Sequence, residues 1–209
     1  MTGKGLVAGP EKPIRLFAAD FDQNGSLDPI MEYFIGDSYF SYPSRDELLD
    51  QMVSMRSKFT DYASYSKAKL TDLLSPQEIE QALNREIHKM ESYYFENTGK
   101  GFQAKILPRL AQSFPIYSIL ISDINRDGEM DLILGGNQNQ TRIRIGKMDA
   151  ALGLVLVANG KGGFTPLSPE ESGLGIKGDI RSILQLTAGN SEYLIFGINQ
   201  QKPEVYQIR

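Results

Sequence analysis

The sequence predicts a mainly β fold, built from repeated antiparallel sheets of about four strands and interrupted by an α-helical insertion. Three observations support this prediction. Short apolar runs alternate with Gly, Asn and Pro, two sequence matches recur at one offset, and two capping-box patterns lie in a single central stretch. Short apolar runs between turn residues are typical of strands, whereas a capping box followed by apolar residues at helical spacing indicates a helix.

Eight apolar runs are predicted to be strands, because each is bounded by residues that favour turns. Two of the intervening segments, Asn97-Thr-Gly-Lys-Gly and Asn159-Gly-Lys-Gly-Gly, have hairpin-turn chemistry, since Asn and Gly tolerate positive φ. The predicted strands are Ile14 to Ala19, Tyr93 to Glu96, Ile116 to Ile121, Leu132 to Leu134, Leu154 to Ala158, Ile183 to Leu186, Tyr193 to Phe196 and Pro203 to Ile208.

An internal repeat is visible in two separate matches. Glu96-Asn-Thr-Gly-Lys-Gly-Phe102 aligns with Ala158-Asn-Gly-Lys-Gly-Gly-Phe164, and Leu132-Ile-Leu-Gly-Gly-Asn-Gln138 aligns with Leu194-Ile-Phe-Gly-Ile-Asn-Gln200. Both pairs are offset by 62 positions (164 − 102 and 194 − 132). Because two matches share one register, we expect a structural repeat of the size of a small sheet.

A helical insertion is predicted from about residue 44 to 90. Ser44-Arg-Asp-Glu47 and Ser75-Pro-Gln-Glu78 both have the capping-box pattern, and Pro76 stands at the first helical position. Apolar residues follow each box at helical spacing, so each helix presents an apolar stripe. These residues are Leu48, Leu49, Met52 and Met55 in the first segment and Ile79, Ala82, Leu83 and Ile87 in the second.

Two acidic segments have the spacing of calcium-binding loops. Asp20-Phe-Asp-Gln-Asn-Gly-Ser-Leu-Asp28 and Asp123-Ile-Asn-Arg-Asp-Gly-Glu-Met-Asp131 carry oxygen-bearing side chains at positions 1, 3, 5 and 9 and glycine at position 6. Calcium takes 6 to 8 oxygen ligands, and glycine permits the sharp turn that brings them together. The predicted ligands are Asp20, Asp22, Asn24 and Asp28 with the carbonyl of Ser26, and Asp123, Asn125, Asp127 and Asp131 with the carbonyl of Glu129.

The same loops differ from an EF-hand in two ways. Position 12 is Met31 in one loop and Leu134 in the other, where an EF-hand has a bidentate Glu, and the flanking segments are strand-like. Magnesium is disfavoured because it prefers a smaller octahedral shell with several waters. At the repeat offset the second loop's ligands become Gln185, Thr187, Gly189 and Tyr193, so we expect two calcium sites and none in the third copy.

The two acidic loops and the segment Leu154-Val-Leu-Val-Ala-Asn-Gly-Lys-Gly-Gly-Phe164 resemble the FG-GAP/VCBS repeat family. Two segments of the helical insertion, Ser44 to Asp50 and Phe59 to Tyr65, contribute to a narrower resemblance. Together with the loops, they make the chain similar to the C-terminal part of bacterial proteins of the cartilage-acidic-protein-like, ASPIC-associated group. The resemblance implies a calcium-loop β-propeller. At 62 residues a blade, 209 residues hold about three blades, so we expect a partial propeller with exposed or covered sheet edges.

One partial-propeller domain is therefore expected over residues 1–209. Blade 1 is predicted at about 10–43 and continues at 91–96, after the helical insertion at about 44–90. Blade 2 is predicted at about 97–158 and blade 3 at about 159–209. The edges of so few blades would be covered by the insertion, by further blades of a longer chain or by a homodimer.

Composition excludes several function classes. The formal net charge is −4, with scattered Lys and Arg, which argues against nucleic-acid binding, and there is no cysteine. No nucleophile elbow, P-loop or dinucleotide motif occurs, and the single histidine, His88, falls on the second predicted helix. No apolar stretch reaches transmembrane length, and residues 1–10 lack the apolar run of a signal peptide, so the sequence predicts neither a membrane span nor an export signal within these residues.

The expected function is a non-enzymatic, calcium-binding interaction module of an exported or cell-surface protein, with a protein or carbohydrate as its unknown ligand. Calcium would stiffen the loops between strands, and no catalytic residue is assigned. The extracellular, periplasmic or cell-surface location is implied by the family resemblance. The alternative is a part of a polysaccharide-active or other extracellular enzyme in which these sheets form a binding scaffold.

Overall fold

The computed structural model describes residues 7–208, which form a mainly β protein with four antiparallel sheets and a few short helices. These residues divide into two compact units, 7–90 and 91–208. The mainly β prediction is confirmed, and the described part of the chain contains no closed sheet.

The first unit contains a four-stranded antiparallel sheet, sheet 1, with strand order β3-β2-β1-β4. Its register places Phe17 opposite Ile30 and Ala19 opposite Asp28, so the first acidic loop joins the ends of two paired strands. The strands are β1 (Ile14–Ala19), β2 (Asp28–Ile35), β3 (Ser38–Ser41) and β4 (Leu83–Ile87).

Short helices connect β3 to β4 and supply the core of this unit. Both predicted capping boxes are confirmed: the Ser44 side chain accepts from the Glu47 N–H, and that of Ser75 accepts from the Glu78 N–H. The helices are α1 (Arg45–Gln51), α2 (Tyr62–Ser66), α3 (Leu70–Leu73) and α4 (Pro76–Gln81), with a 3₁₀ turn at Val53–Ser57. None of the helices within residues 7–208 has the length and apolar content of a membrane-spanning segment.

The helical insertion ends earlier than predicted. Ala82 has the extended ψ of 146° and terminates α4, and Leu83–Ile87 is a strand paired with β1. Leu83 and Ile87 are both exposed, so no buried apolar stripe holds this segment helical, whereas the open edge of β1 offers backbone hydrogen bonds. His88 consequently follows a strand, where its Nε2 lies 3.2 Å from Glu86 Oε2.

The second unit contains the other three sheets. Sheet 2 has four strands in the order β10-β9-β8-β7, sheet 3 has three in the order β11-β12-β13, and β5 and β6 form a hairpin. The strands are β5 (Tyr93–Asn97), β6 (Phe102–Ile106), β7 (Ile116–Ser122), β8 (Asp131–Gly136), β9 (Leu154–Ala158), β10 (Phe164–Pro166), β11 (Ile180–Ala188), β12 (Ser191–Ile198) and β13 (Glu204–Ile208).

The predicted sheet boundaries are shifted in two places. The segment 91–96 does not complete sheet 1, because β4 occupies that edge and Tyr93–Asn97 pairs with β6 instead. Residues 164–166 belong to sheet 2, since the Asn159 N–H donates to the Gly163 carbonyl and turns β10 back onto β9. Sheet 3 therefore has three described strands where four were expected.

The repeat between sheets 2 and 3 extends to their irregularities. Both first hairpins carry a register shift at equivalent places, after Ile116 in one and after Ile180 in the other. The pair Ser118 and Gly135 corresponds to the pair Ser182 and Gly197, so the offset is 64 on the first strand (182 − 118) and 62 on the second (197 − 135). The sequence offset of 62 is thus correct for the second strand only.

Glycine at the end of β8 permits a close backbone approach. A side chain at Gly136 would overlap the carbonyl oxygen of Pro115, which also accepts the Asn137 N–H at 3.2 Å. Ring atoms of the buried Phe114 lie within 3.0 Å of the same added Cβ, so little freedom is left to relax. The glycine pair Gly135-Gly136 is therefore a packing feature of the strand end.

We expect Gly136→Ala to lower the free energy of unfolding by about 2 kcal/mol or more, because overpacking against main chain is poorly relieved. Gly175→Ala is the matched control, since an added Cβ there meets no atom within 4 Å. Urea unfolding followed by circular dichroism measures both variants. Equal stability of the two would contradict the packing role of Gly136.

A carboxyl group is buried beneath the helices of the first unit. The Glu32 side chain lies on the same face of sheet 1 as Ile30 and is 3% exposed. Burial raises the pKa of Glu32 above its usual value, while the positive charges of Arg15 and Lys69 and a hydrogen bond from the Leu70 backbone act in the opposite direction. The folded protein thus favours the protonated form more than the unfolded chain does.

This shift predicts a pH dependence of stability with a definite sign. The contribution of Glu32 is fully present below its unfolded pKa and is lost as pH rises through the raised folded pKa. Relative to Glu32→Gln, the natural protein should lose unfolding free energy as pH rises from about 4 upward, until the folded pKa is passed. Parallel urea titrations across that range provide the test, and a difference that grew with pH would contradict it.

Candidate metal centre

Both acidic loops join the first two strands of a sheet. The first connects β1 to β2 and the second connects β7 to β8, and each spans eight residues between a paired strand end and the next. Ala19 pairs with Asp28, and Ser122 pairs with Asp131, which is the same register at an offset of 103 on both strands. The strand–loop–strand context predicted for the loops is confirmed.

In the first loop the carboxylate at position 1, Asp20, accepts hydrogen bonds from two backbone N–H groups of the turn. Asp20 Oδ1 accepts the Asn24 N–H at 2.9 Å, and Asp20 Oδ2 accepts the Gly25 N–H at 2.9 Å. Asp22 Oδ1 also accepts from Asn24 N–H at 3.2 Å, and Asn24 Oδ1 accepts the Ser26 N–H at 2.8 Å. The side chains at positions 1, 3 and 5 therefore all turn inward on one short loop.

The second loop repeats this network atom for atom. Asp123 accepts the N–H groups of Asp127 and Gly128 at 3.1 and 3.0 Å, and Asn125 Oδ1 accepts from Asp127 at 3.1 Å. Asp127 Oδ1 accepts the Glu129 N–H at 2.8 Å, as Asn24 does for Ser26. The match shows that one loop conformation is built twice from two different sequences.

Backbone torsions agree with this equivalence. Gln23 and Arg126, at position 4, have φ of 58° and 61°, and the glycines at position 6, Gly25 and Gly128, have φ of 87° and 91°. Positive φ is unfavourable for Gln and Arg, so the surrounding hydrogen bonds hold these residues in place. Sequence reasoning identified the glycines but missed position 4, where neither residue type signals a left-handed conformation.

The last aspartate of each loop is buried and closes it. Asp28 is 1% exposed and Asp131 is fully buried, and their Oδ2 atoms accept the N–H groups of Phe21 and Ile124 at 3.0 Å. Asp131 Oδ1 also accepts the Ala158 N–H of β9 at 2.8 Å. This carboxylate therefore ties the loop to the middle of the sheet.

The first loop brings three carboxylates together. Oxygen atoms of Asp20, Asp22 and Asp28 all lie within 4.8 Å of one another. In the second loop the equivalent of Asp22 is Asn125, whose amide contributes an oxygen but no charge, and its Nδ2 donates to Asp127 Oδ2 at 2.8 Å. Within residues 7–208, no other group of three acidic or metal-ligating side chains meets this distance.

The donor chemistry of both loops fits a hard cation. Each loop carries three aspartates, an Asn and a backbone carbonyl at the predicted positions. A carboxylate oxygen has two lone pairs, so an Asp oxygen that accepts one backbone N–H retains a lone pair for a metal ion. Ser26 and Glu129 enter the hydrogen-bond network through their backbone N–H groups.

The third hairpin has lost the loop. Ala188 pairs with Ser191, so a two-residue turn replaces the eight-residue loop, and the structural register makes Tyr193 the equivalent of Asp131. On the first strand the offset is 64, so Thr187 is the equivalent of Asp123 and Gly189 is the equivalent of Asn125. The sequence alignment, at an offset of 62, had paired Asp123 with Gln185 and Asn125 with Thr187, and the structural register corrects this pairing. None of the residues Gln185, Thr187, Gly189 and Tyr193 carries a carboxylate.

A polar cavity of about 580 Å³ also lies in the second unit, next to the end of β8. Of its two lining carboxylates, Asp179 is buried and accepts from Asn139 and Arg181 at 3.0 and 3.3 Å. The described lining therefore presents no pair of unengaged carboxylates for acid–base catalysis. The polar lining residues include Asn137, Asn139, Gln140, Lys147, Asp149, Lys177, Asp179, Asn199, Gln200 and Gln201.

Comparisons with protein-family models, curated proteins and solved structures find no match for this chain. The resemblance to the FG-GAP/VCBS family therefore remains a prediction from the loops and the repeat.

We expect the buried carboxylate to stabilise the fold without any metal. Asp131→Ala leaves the N–H groups of Ile124 and Ala158 without their acceptor, which should cost about 2–4 kcal/mol of unfolding free energy. Asp127→Ala is the control within the same loop, because Asp127 is exposed and should cost less. Urea unfolding in EDTA compares them, and equal losses would contradict the structural role of Asp131.

Proposed function

We propose that this chain is a calcium-stabilised, non-enzymatic binding module. The observation that carries the proposal is the loop pair: two segments 103 residues apart adopt one conformation, with the side chains at positions 1, 3 and 5 turned inward in both. Turn formation alone favours Asp, Asn and Gly at some positions, but it does not require three aspartates in each loop, two of them at the equivalent positions 1 and 9. A bound cation accounts for them, since it offsets their mutual repulsion.

Calcium suits these loops better than magnesium. Four side chains and one carbonyl give five protein donors in each loop, and a bidentate carboxylate or water brings the total into the range of 6 to 8. The ligands are Asp20, Asp22, Asn24, Ser26 and Asp28 in the first loop and Asp123, Asn125, Asp127, Glu129 and Asp131 in the second. The role of the ion is to hold a surface loop rigid between two strands.

We also propose that the sheets belong to a propeller-type arrangement. The packing of sheet 3 on sheet 2 and the shared bulge support this architecture. The family resemblance supports a location on an exported or cell-surface protein. The ligand would be a protein or a carbohydrate bound by the rigid scaffold.

Calcium should raise the unfolding temperature of the protein. A ligand at 100 times its dissociation constant adds about 2.7 kcal/mol for each site. Calorimetry after EDTA treatment, followed by calcium addition, measures the effect, with magnesium as the comparison ion. An unchanged transition would contradict the proposal.

Single-loop variants assign the effect to each unit. Asp20→Ala should abolish the calcium response of the first unit and Asp123→Ala that of the second, while the other unit keeps its own response. Asp149→Ala is the control, because Asp149 is an exposed aspartate outside both loops. Isothermal titration calorimetry should show two sites in the natural chain, one in each single variant and two in the control.

A further inference from the structure

The loop between β8 and β9 is much longer than the equivalent loops of the other sheets. It runs over residues 137–153, which is 17 residues (153 − 136), whereas the β12–β13 loop covers only 199–203 and the β2–β3 loop only 36–37. A connection of more than about 12–15 residues without regular structure is uncommon in a compact domain and usually has a function of its own. The long loop contributes to the lining of the polar cavity of about 580 Å³, here called the β8 cavity.

Hydrogen bonds within the long loop keep it in one shape. Gln138 and Met148 exchange backbone hydrogen bonds of 2.8 and 2.9 Å, and the Thr141 hydroxyl donates to the Gly146 carbonyl at 2.6 Å. The loop is therefore a formed wall of the cavity. A ligand that binds to a formed wall pays little to order it.

The buried part of the lining is a polar network whose groups are engaged with one another. Asn137 is 1% exposed, and its Nδ2 donates to the carbonyls of Ala151 and Gly178 at 2.7 and 3.0 Å. Asp179 is buried and accepts from both the backbone N–H and the Nδ2 of Asn139. These bonds join the end of β8, the long loop and the start of β11, so the buried lining is rigid.

The exposed part of the lining, in contrast, carries polar groups that the protein does not use. Five exposed lining side chains make no hydrogen bond or ion pair with any residue from 7 to 208; they are Lys147, Asp149, Lys177, Asn199 and Gln201. These groups are available to a ligand.

The available groups suit a ligand that is rich in hydroxyl groups. A side-chain amide offers both donors and an acceptor, so Asn199 and Gln201 can pair with a hydroxyl group in either of its roles. The described lining has no aromatic side chain, and its apolar side chains are Ala151 and Leu152. An apolar or flat aromatic ligand would leave the polar groups unpaired, whereas an oligosaccharide would engage them. The volume lies within the range of roughly 300–1,000 Å³ that is typical of small-molecule sites.

The available charges of the cavity favour an anion. Lys147 and Lys177 supply two ammonium groups against the single carboxylate of Asp149, while Asp179 is paired with the Arg181 guanidinium at 3.3 Å. The long loop as a whole has three basic residues and one acidic residue, although the chain has a net charge of −4. The excess of positive charge is therefore local to this loop and its cavity.

We propose that the β8 cavity binds an acidic oligosaccharide, with hydroxyl groups on the amides and an anionic group paired with Lys147 and Lys177. The inference rests on the proposed function, because it names the ligand of the calcium-stabilised binding module. Two kinds of sugar supply this chemistry, since a uronic acid carboxylate and a sulfate ester both offer charged acceptor oxygens to an ammonium group.

Isothermal titration calorimetry of the full chain in calcium tests the inference with three tetrasaccharides. A hyaluronan tetrasaccharide carries carboxylates, a κ-carrageenan tetrasaccharide carries sulfate esters, and maltotetraose carries no charge. At least one acidic tetrasaccharide should bind about tenfold or more tightly than maltotetraose, and added salt should weaken its binding. The tighter of the two acidic ligands identifies the anionic group.

Variants with opposite expected effects distinguish direct contact from a change in folding. Lys147→Gln and Lys177→Gln should each weaken binding of the acidic tetrasaccharide about tenfold, because each removes a charge-assisted contact. Asp149→Asn should strengthen binding, because it removes a like charge at nearly constant volume. Lys100→Gln is the matched control, since Lys100 is an exposed lysine of the β5–β6 hairpin and lies outside the cavity lining. Circular dichroism should show all variants folded.

Three results would overturn the inference: equally tight binding of maltotetraose, no binding of either acidic tetrasaccharide, or an equal loss in Lys100→Gln. The unfolding temperature of the same samples, with calcium and with EDTA, is measured in parallel. An intact calcium response without oligosaccharide binding refutes the cavity assignment alone. A chain without a calcium response refutes the calcium-stabilised module itself.

Discussion

The fold of each acidic loop depends on a buried carboxylate at the start of a strand. Asp28 and Asp131 lie at the first positions of β2 and β8, and each accepts a backbone N–H from the beginning of its own loop. A buried carboxylate is costly unless it is hydrogen-bonded, so the loop must return to the same place for the strand to begin. This requirement fixes the register of the hairpin, and the hairpin register fixes which residues lie on each face of the sheet.

That register then determines how the sheets stack. In sheet 2 it turns Ile133 and Val155 toward sheet 3, and it brings Gly135 against Ile180 at a separation that a side chain would obstruct. Loop, register and stacking are therefore successive consequences of one constraint. The third hairpin keeps the register although a tyrosine replaces the aspartate, because its two-residue turn continues the strand pairing directly. A tight turn and a closed acidic loop are two solutions to the same geometric problem.

The sequence predicted the features that have local causes. The capping boxes at Ser44 and Ser75, the hairpin at Asn159 and the loop context of Asp20 and Asp123 were all confirmed. A third capping box at Ser168 has the same Ser-Pro-x-Glu pattern as the box at Ser75, so the sequence pattern alone could have predicted it. Features decided by tertiary pairing were not predictable in this way. The strand at Leu83–Ile87 forms because β1 has an open edge, and its apolar residues fit a helix equally well when read alone.

The candidate metal site likewise combines features that the local sequence predicts with features that depend on the folded structure. Ligand types and the turn glycines follow from spacing, whereas the positive φ of Gln23 and Arg126 follows from hydrogen bonds that close around them. The offset within the repeat is 64 on one strand and 62 on the other because the third hairpin replaces an eight-residue loop by a tight turn, and this correction emerges only from the pairing register.

Once the register is known, residues far apart in the chain can be matched, and the exposure of each side chain can be compared with that of its counterpart in another sheet. Val205 is an unremarkable exposed valine on its own, but its counterpart Val155 is buried, and Phe17 and Ile30 on the equivalent face of sheet 1 lie under helices. The same apolar face is therefore covered in sheets 1 and 2 and open in sheet 3.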